Sequence, residues 1–156
     1  MESALGQGTT FKVYLPIHEE SVAPLKSADD VCKGKGERIL LVDDEEMLIQ
    51  LGTRMLRSLG YEVISCLGSE EALKLFGANP NHFDLVLTDQ TMPKMKGTQL
   101  AQEIKKIRPD IPIILNTGFD ERLQEDQLHE AGISEMMMKP YTIHDLSYVI
   151  SKYCQT

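Results

Sequence analysis

Four apolar runs in this chain end in side chains suited to phosphoryl chemistry. Residues 39–42 lead into Asp43 and Asp44, residues 85–88 into Asp89, residues 113–116 into Thr117, and residues 136–138 into Lys139. Two adjacent acids facing a third repel strongly unless a hard cation sits among them. Oxygen-only donors with neither His nor Cys nearby favour Mg²⁺, which keeps several waters and commonly bridges to phosphate. A carboxylate so placed can act as a nucleophile and form an acyl phosphate, while the metal neutralises charge between attacker and phosphoryl group. Phosphoryl transfer asks the protein mainly for positioning and electrostatics, so a hydroxyl and an ammonium suit the remaining phosphoryl oxygens. Thr117 and Lys139 fit those roles.

Such residues meet only if the strands carrying them lie side by side. Strand-like runs at 39–42, 61–66, 85–87, 113–115 and 136–138 are separated by segments of helical spacing, a five-fold βα alternation. That pattern gives a parallel sheet covered on both faces, with right-handed crossovers. In an open sheet of this kind the ligand crevice lies beyond the carboxyl ends of the strands, where strand order reverses. Leu48, Leu51, Met55 and Leu59 form an apolar stripe that Gly60 stops. Leu100, Ile104 and Ile107 form another, ended by Pro109. A fourth helix, over about 121–131, is polar and acidic with only Leu123, Leu128 and Ala131 to bury, so it is expected to be the least tightly packed. Thr142 and Asp145 form a capping box ahead of Ile143, Leu146, Val149, Ile150 and Tyr153. The three methionines 136–138 read as core of a buried strand.

Bulk properties exclude other classes. A chain of 156 residues with 42% hydrophobic content buries one core, with room for a tail. A net charge of −8 and a pI near 5.0 argue against a nucleic-acid surface. Cys32, Cys66 and Cys154 are odd in number and widely spaced, as expected of unpaired thiols in a reducing compartment. No stretch approaches the roughly 18 apolar residues of a membrane span, and no signal peptide opens the chain. A cytoplasmic location without membrane contact is the expectation, although a longer parent protein is free to be membrane-anchored. His18, His82, His129 and His144 lack metal-ligand spacing. Gly34-Lys35-Gly36 precedes a strand instead of following one, so it reads as a flexible joint and not a phosphate loop.

Leu41-Val42-Asp43-Asp44-Glu45, the run from Asp84 to Asp89 with Met92-Pro93 and Gly97, then Thr117-Gly118 and Lys139-Pro140, resemble the motifs of a response-regulator receiver domain in order and spacing. Singly, each has a plainer use, such as a helix cap, a turn or a surface charge. The resemblance covers residues 37–156. It implies an α/β doubly wound fold, with a five-stranded parallel sheet in the flavodoxin-like order 2-1-3-4-5. It further implies that Asp89 is the phosphoacceptor, Asp44 a direct Mg²⁺ ligand, Asp43 a ligand through water and the backbone carbonyl of Thr91 a third protein ligand. Thr117 and Lys139 would grip the phosphoryl group, and the peptide before Pro140 would be cis.

Two positions depart from the family or modulate it. Many receivers carry an aromatic ring where this chain has Met136, so the coupling of a threonine hydroxyl to ring reorientation is not expected in its usual form. Phe119, two residues after Thr117, is expected to shield the acyl phosphate, so Phe119→Ala should shorten its lifetime.

The first sixteen residues resemble the glycine box and closing strand of a histidine-kinase ATP-binding domain, on Gly6-Gln7-Gly8-Thr9-Thr10 and the alternation of Phe11, Val13 and Leu15. A kinase ending (1–16), a linker (17–36) and a receiver (37–156) describe the C-terminal part of a hybrid sensor histidine kinase. Residues 9–15 are expected to stay disordered or to join another chain's edge. With only Gln155 and Thr156 after the fifth helix, no DNA-binding output domain is expected. The implied partners are a histidine-kinase dimerisation and phosphotransfer domain or a histidine phosphotransfer protein. The rival readings are a Mg²⁺-dependent phosphatase with an aspartyl nucleophile, which usually has a second acid where Thr91 stands, and a receiver that docks without being phosphorylated.

Overall fold

The structure is a computed structural model that describes residues 2–4, 6, 8–14, 31–118 and 123–154. Strands β1 (Glu2–Ala4) and β2 (Gly8–Thr10) form an antiparallel pair. The main unit runs β3 (Arg38–Asp43), α1 (Glu46–Ser58), β4 (Glu62–Leu67), α2 (Ser69–Ala78), β5 (Leu85–Asp89), α3 (Gly97–Ile107), β6 (Ile113–Thr117), α4 (Glu125–Glu130), β7 (Glu135–Met138) and α5 (Ile143–Cys154). Its five strands are all parallel in the order β4-β3-β5-β6-β7. Counted within the sheet this is 2-1-3-4-5, the flavodoxin-like arrangement, and the order reverses between β3 and β5.

Apart from Arg38 at the start of β3, the central strands are buried throughout, the mark of a sheet covered on both faces. Successive residues alternate between two cores. Ile39, Leu41, Leu85, Leu87 and Ile114 pack beneath α1 and α5 against Leu56, Leu146 and Ile150. Leu40, Val42, Val86 and Ile113 pack beneath α2 and α3 against Phe76, Leu100 and Ile104. Helix α4 contributes no buried residue. The Thr142–Asp145 capping box is present, with the Thr142 N–H donating to Asp145 Oδ2 at 2.8 Å and the Asp145 N–H to Thr142 Oγ1 at 3.2 Å.

Several side chains sit differently from the sequence expectation. The buried stripe of α1 is Ile49, Gly52 and Leu56, with Leu59 after it, whereas Leu51 is 55% exposed. Gly52 explains the offset: a Cβ there would come within 3.0 Å of the Leu41 side chain, so the helix axis lies close over β3 and turns Leu48, Leu51 and Met55 to its flank. Of the three methionines only Met137 is core, and Met138 is 39% exposed, because β7 is the sheet's edge. Ile107 is likewise exposed at the end of α3.

The expected joint at residues 34–36 is held in place. The Gly34 N–H donates to the Leu59 carbonyl at 2.7 Å and the Gly36 N–H to the Gly60 carbonyl at 3.1 Å. The Ser147 hydroxyl bonds the Cys32 carbonyl, and Val31 packs on the α1/α5 core. A side chain at Gly34 would overlap the Tyr61 ring, so only glycine lets the backbone approach this closely. At the N-terminus, residues 8–10 pair with residues 2–4, and residues 11–14 are exposed without regular structure. The segment expected to seek another chain's edge therefore begins with a partner in its own chain. Positive φ angles at Gly6 (79°) and Gly8 (87°) let the backbone reverse there, and a Lys12–Glu2 ion pair at 2.8 Å ties the ends. Leu15 lies outside the described residues.

Candidate functional site

Adjacent strands put two carboxylates together. Asp43 ends β3 and Asp89 ends β5, and the register that opposes Val42 to Thr88 makes them neighbours on the α1/α5 face. They are only 5% and 6% exposed. Lys139, just after β7, reaches across with Nζ 2.6 Å from Asp89 Oδ1 and 3.0 Å from Asp43 Oδ2. The other two oxygens accept backbone N–H groups, Asp43 Oδ1 from Glu45 at 3.0 Å and Asp89 Oδ2 from Thr91 at 2.6 Å. Burial pushes the Asp89 carboxyl above the usual range, with Asp43 adding to the push and Lys139 pulling the other way. For Lys139, burial disfavours the charge, but its hydrogen bonds to the two carboxylates outweigh that and raise it.

Thr117 ends β6; its carbonyl accepts the Lys139 N–H at 2.8 Å and its hydroxyl donates to the Gly118 carbonyl at 3.3 Å. The Lys139–Pro140 peptide is cis. Gly97 starts α3 hard against the end of β5, where a Cβ would overlap the Asp89 carbonyl oxygen. Asp44 is exposed and borders a cavity of about 330 Å³ with Ser69, Glu70 and Lys94. Met136 is half-buried opposite Leu115. Phe119 lies outside the described residues.

The structure thus joins Asp43, Asp89, Lys139 and Thr117, with the Thr91 backbone at Asp89. Two neighbours escaped the sequence reading. Asn116, 2% exposed, donates from Nδ2 to the Tyr141 hydroxyl at 3.2 Å. Its signal was a polar residue at the end of an otherwise apolar buried run. Gln90, also buried, accepts the Thr98 N–H at the start of α3.

Residues 39–151 match the response regulator receiver domain. The chain belongs to that family. Among its relatives is the sensor kinase CckA of Brucella abortus, 30% identical over 164 residues, an alignment covering 97% of this chain and 17% of the kinase. A response regulator receiver domain protein from Clostridium thermocellum has a TM-score of 0.72 and 36% identity, covering 76% of this chain and 94% of that one. The receiver of the sensor histidine kinase PA1611 from Pseudomonas aeruginosa, solved with magnesium coordinated in its active-site cleft, has a TM-score of 0.69 and 25% identity, covering 78% and 99%.

Receivers generally bind Mg²⁺ in the active site, and the donor types of this one suit such an ion. Asp43, Asp44 and Asp89 against the single Lys139 ammonium leave two negative charges at oxygen donors, which suits a hard divalent ion. Among the described residues no three such side chains converge closely enough to enclose an ion. Asp43 and Asp89 converge on Lys139, and Asp44 borders the adjoining cavity.

Proposed function

We propose that this receiver accepts a phosphoryl group from a phosphohistidine onto Asp89, with Mg²⁺ bound, and passes it to a histidine of a partner. The observation that carries the reading is the Lys139 ammonium held between two buried carboxylates at the sheet's switch point. Asp43, Asp44, Asp89 and the Thr91 carbonyl would hold the ion, which when bound neutralises charge between the incoming phosphoryl oxygens and the acids. An Asp89 carboxylate oxygen attacks phosphorus, the P–N bond to the donor imidazole breaks, and its electron pair stays on the imidazole nitrogen. Lys139, already a hydrogen-bond donor to Asp89, follows the developing charge onto a phosphoryl oxygen, and the Thr117 hydroxyl takes another. Return to a second histidine is the same step reversed.

The donor must bring its imidazole to Asp89 beside Lys139. An apolar groove opens there between Leu48, Leu51 and Met55 of α1 and Pro140 and Tyr141. It receives the helix that carries the histidine, on a histidine-kinase dimerisation domain or a histidine phosphotransfer protein. The alignment to a sensor kinase over nearly the whole chain supports a hybrid histidine kinase as the parent, with residues 1–16 a remnant of its ATP-binding domain and 17–36 largely a linker.

Acetyl phosphate with Mg²⁺ tests the acceptor directly. Intact-mass measurement is expected to show one phosphoryl group on the wild type and none on Asp89→Asn. Steady phosphate release without an adduct would favour an aspartyl phosphatase, and no reaction would leave a docking module.

A further inference from the structure

Asp89, Asn116 and Met137 occupy one register row of β5, β6 and β7, so Asn116 projects on the same face as Asp89 and directly beside it. Asn116 is buried, yet its amide makes one hydrogen bond, to Tyr141, and Oδ1 finds no partner among the described residues. Either orientation of the amide keeps one bond to the phenol and leaves one atom unpaired. A buried polar group so incompletely satisfied is costly, so the position is poorly explained as packing. Tyr141 is no ordinary wall of the groove either. Burial raises its phenol, and it feels the charges of Lys139, Asp43 and Asp89 together.

The two contacts that bracket Lys139 come from consecutive residues of β6. The Thr117 carbonyl accepts the Lys139 N–H, and the Asn116 amide donates to the Tyr141 hydroxyl. We propose that the Asn116–Tyr141 bond is a positioning element that pins the segment Lys139-Pro140-Tyr141 to β6 and keeps the Lys139 ammonium seated between Asp43 and Asp89. The inference rests on the phosphoacceptor reading. Asn116 and Tyr141 touch no reacting atom; they act through Lys139.

Tyr141→Phe keeps the ring and removes the hydroxyl, and Asn116→Leu keeps the shape and removes the amide. The rate of phosphoryl gain from acetyl phosphate and the Mg²⁺ affinity are measured for each variant, for the double variant and for the wild type, with Tm as a folding check. Each single variant is expected to lose about tenfold in rate, the worth of one hydrogen bond, with Mg²⁺ affinity unchanged. The double variant is expected to be no slower than either single one, because both remove the same bond. An unchanged rate in Tyr141→Phe, a parallel loss of Mg²⁺ affinity or losses that multiply in the double variant would overturn the inference. A wild type that gains no phosphoryl group overturns the phosphoacceptor reading itself, and the inference with it.

Discussion

The Lys139 ammonium lies 2.6 Å from Asp89 and 3.0 Å from Asp43, so one cation serves two buried carboxylates. Removing it leaves both acids without their counter-charge. Lys139→Met is expected to lower stability by about 2–3 kcal/mol, below the usual cost of breaking a buried pair because a quarter of the lysine side chain remains exposed. Adding Asp89→Asn should recover part of that loss, since only one carboxylate is then left unbalanced. Chemical denaturation of the two variants and the wild type checks both statements.

Alkaline stability should draw on buried groups outside the phosphoryl site as well as on Lys139 and Tyr141 within it. Burial pushes Cys66 up from 9.0 to about 11, Cys154 from 9.0 to about 12 and Tyr61 from 10.0 to about 12. A group raised in the folded state contributes stability that is whole below its unfolded value and is lost as pH climbs towards the folded one. Tm should therefore hold to about pH 9 and fall steadily from there to about 12. Tyr61→Phe should flatten the upper part of that fall. In thiol labelling near neutral pH, exposed Cys32 should react first, with buried Cys66 and Cys154 protected until the protein unfolds.

Two glycines mark close backbone approaches. Gly34→Ala would drive a methyl into the Tyr61 ring and release residues 31–36 from the turn after α1, at a cost of about 1–3 kcal/mol. Phosphoryl gain should survive, because that strap lies at Leu59 and Gly60, away from the acids. Gly97→Ala presses on the Asp89 carbonyl instead, so it should cost both stability and phosphorylation rate. Urea titration paired with an acetyl phosphate assay separates the two.

The α1 groove predicts a difference between phosphodonors. Leu51 is more than half exposed on its rim, so Leu51→Asp should leave Tm and acetyl phosphate reactivity intact. Transfer from a phosphohistidine protein should drop about tenfold or more, because a charge then faces the partner's apolar anchor. Equal transfer in the wild type and the variant would place the docking face elsewhere.

The sheet and the gathering of Asp43, Asp89, Thr117 and Lys139 were legible because apolar runs and Gly/Pro stops fix the alternation of elements, and parallel topology fixes which ends meet. The rotation of α1 was not, since it depends on how closely Gly52 lets the helix approach Leu41, a contact between elements. The anchored strap at 31–36 hid for the same reason: two glycines around a lysine read as slack, yet their N–H groups bond the turn after α1. Asn116 was concealed inside an apolar run, and its partner Tyr141 is 25 residues away.

The most direct test gives the protein labelled phosphohistidine as donor, in the form of the autophosphorylated catalytic core of a hybrid kinase, with Mg²⁺ present. Label is expected to move to the wild type, to be released by mild base as an acyl phosphate would be, and not to reach Asp89→Asn. Label arriving equally on Asp89→Asn, or never arriving on the wild type, would contradict the phosphoacceptor reading.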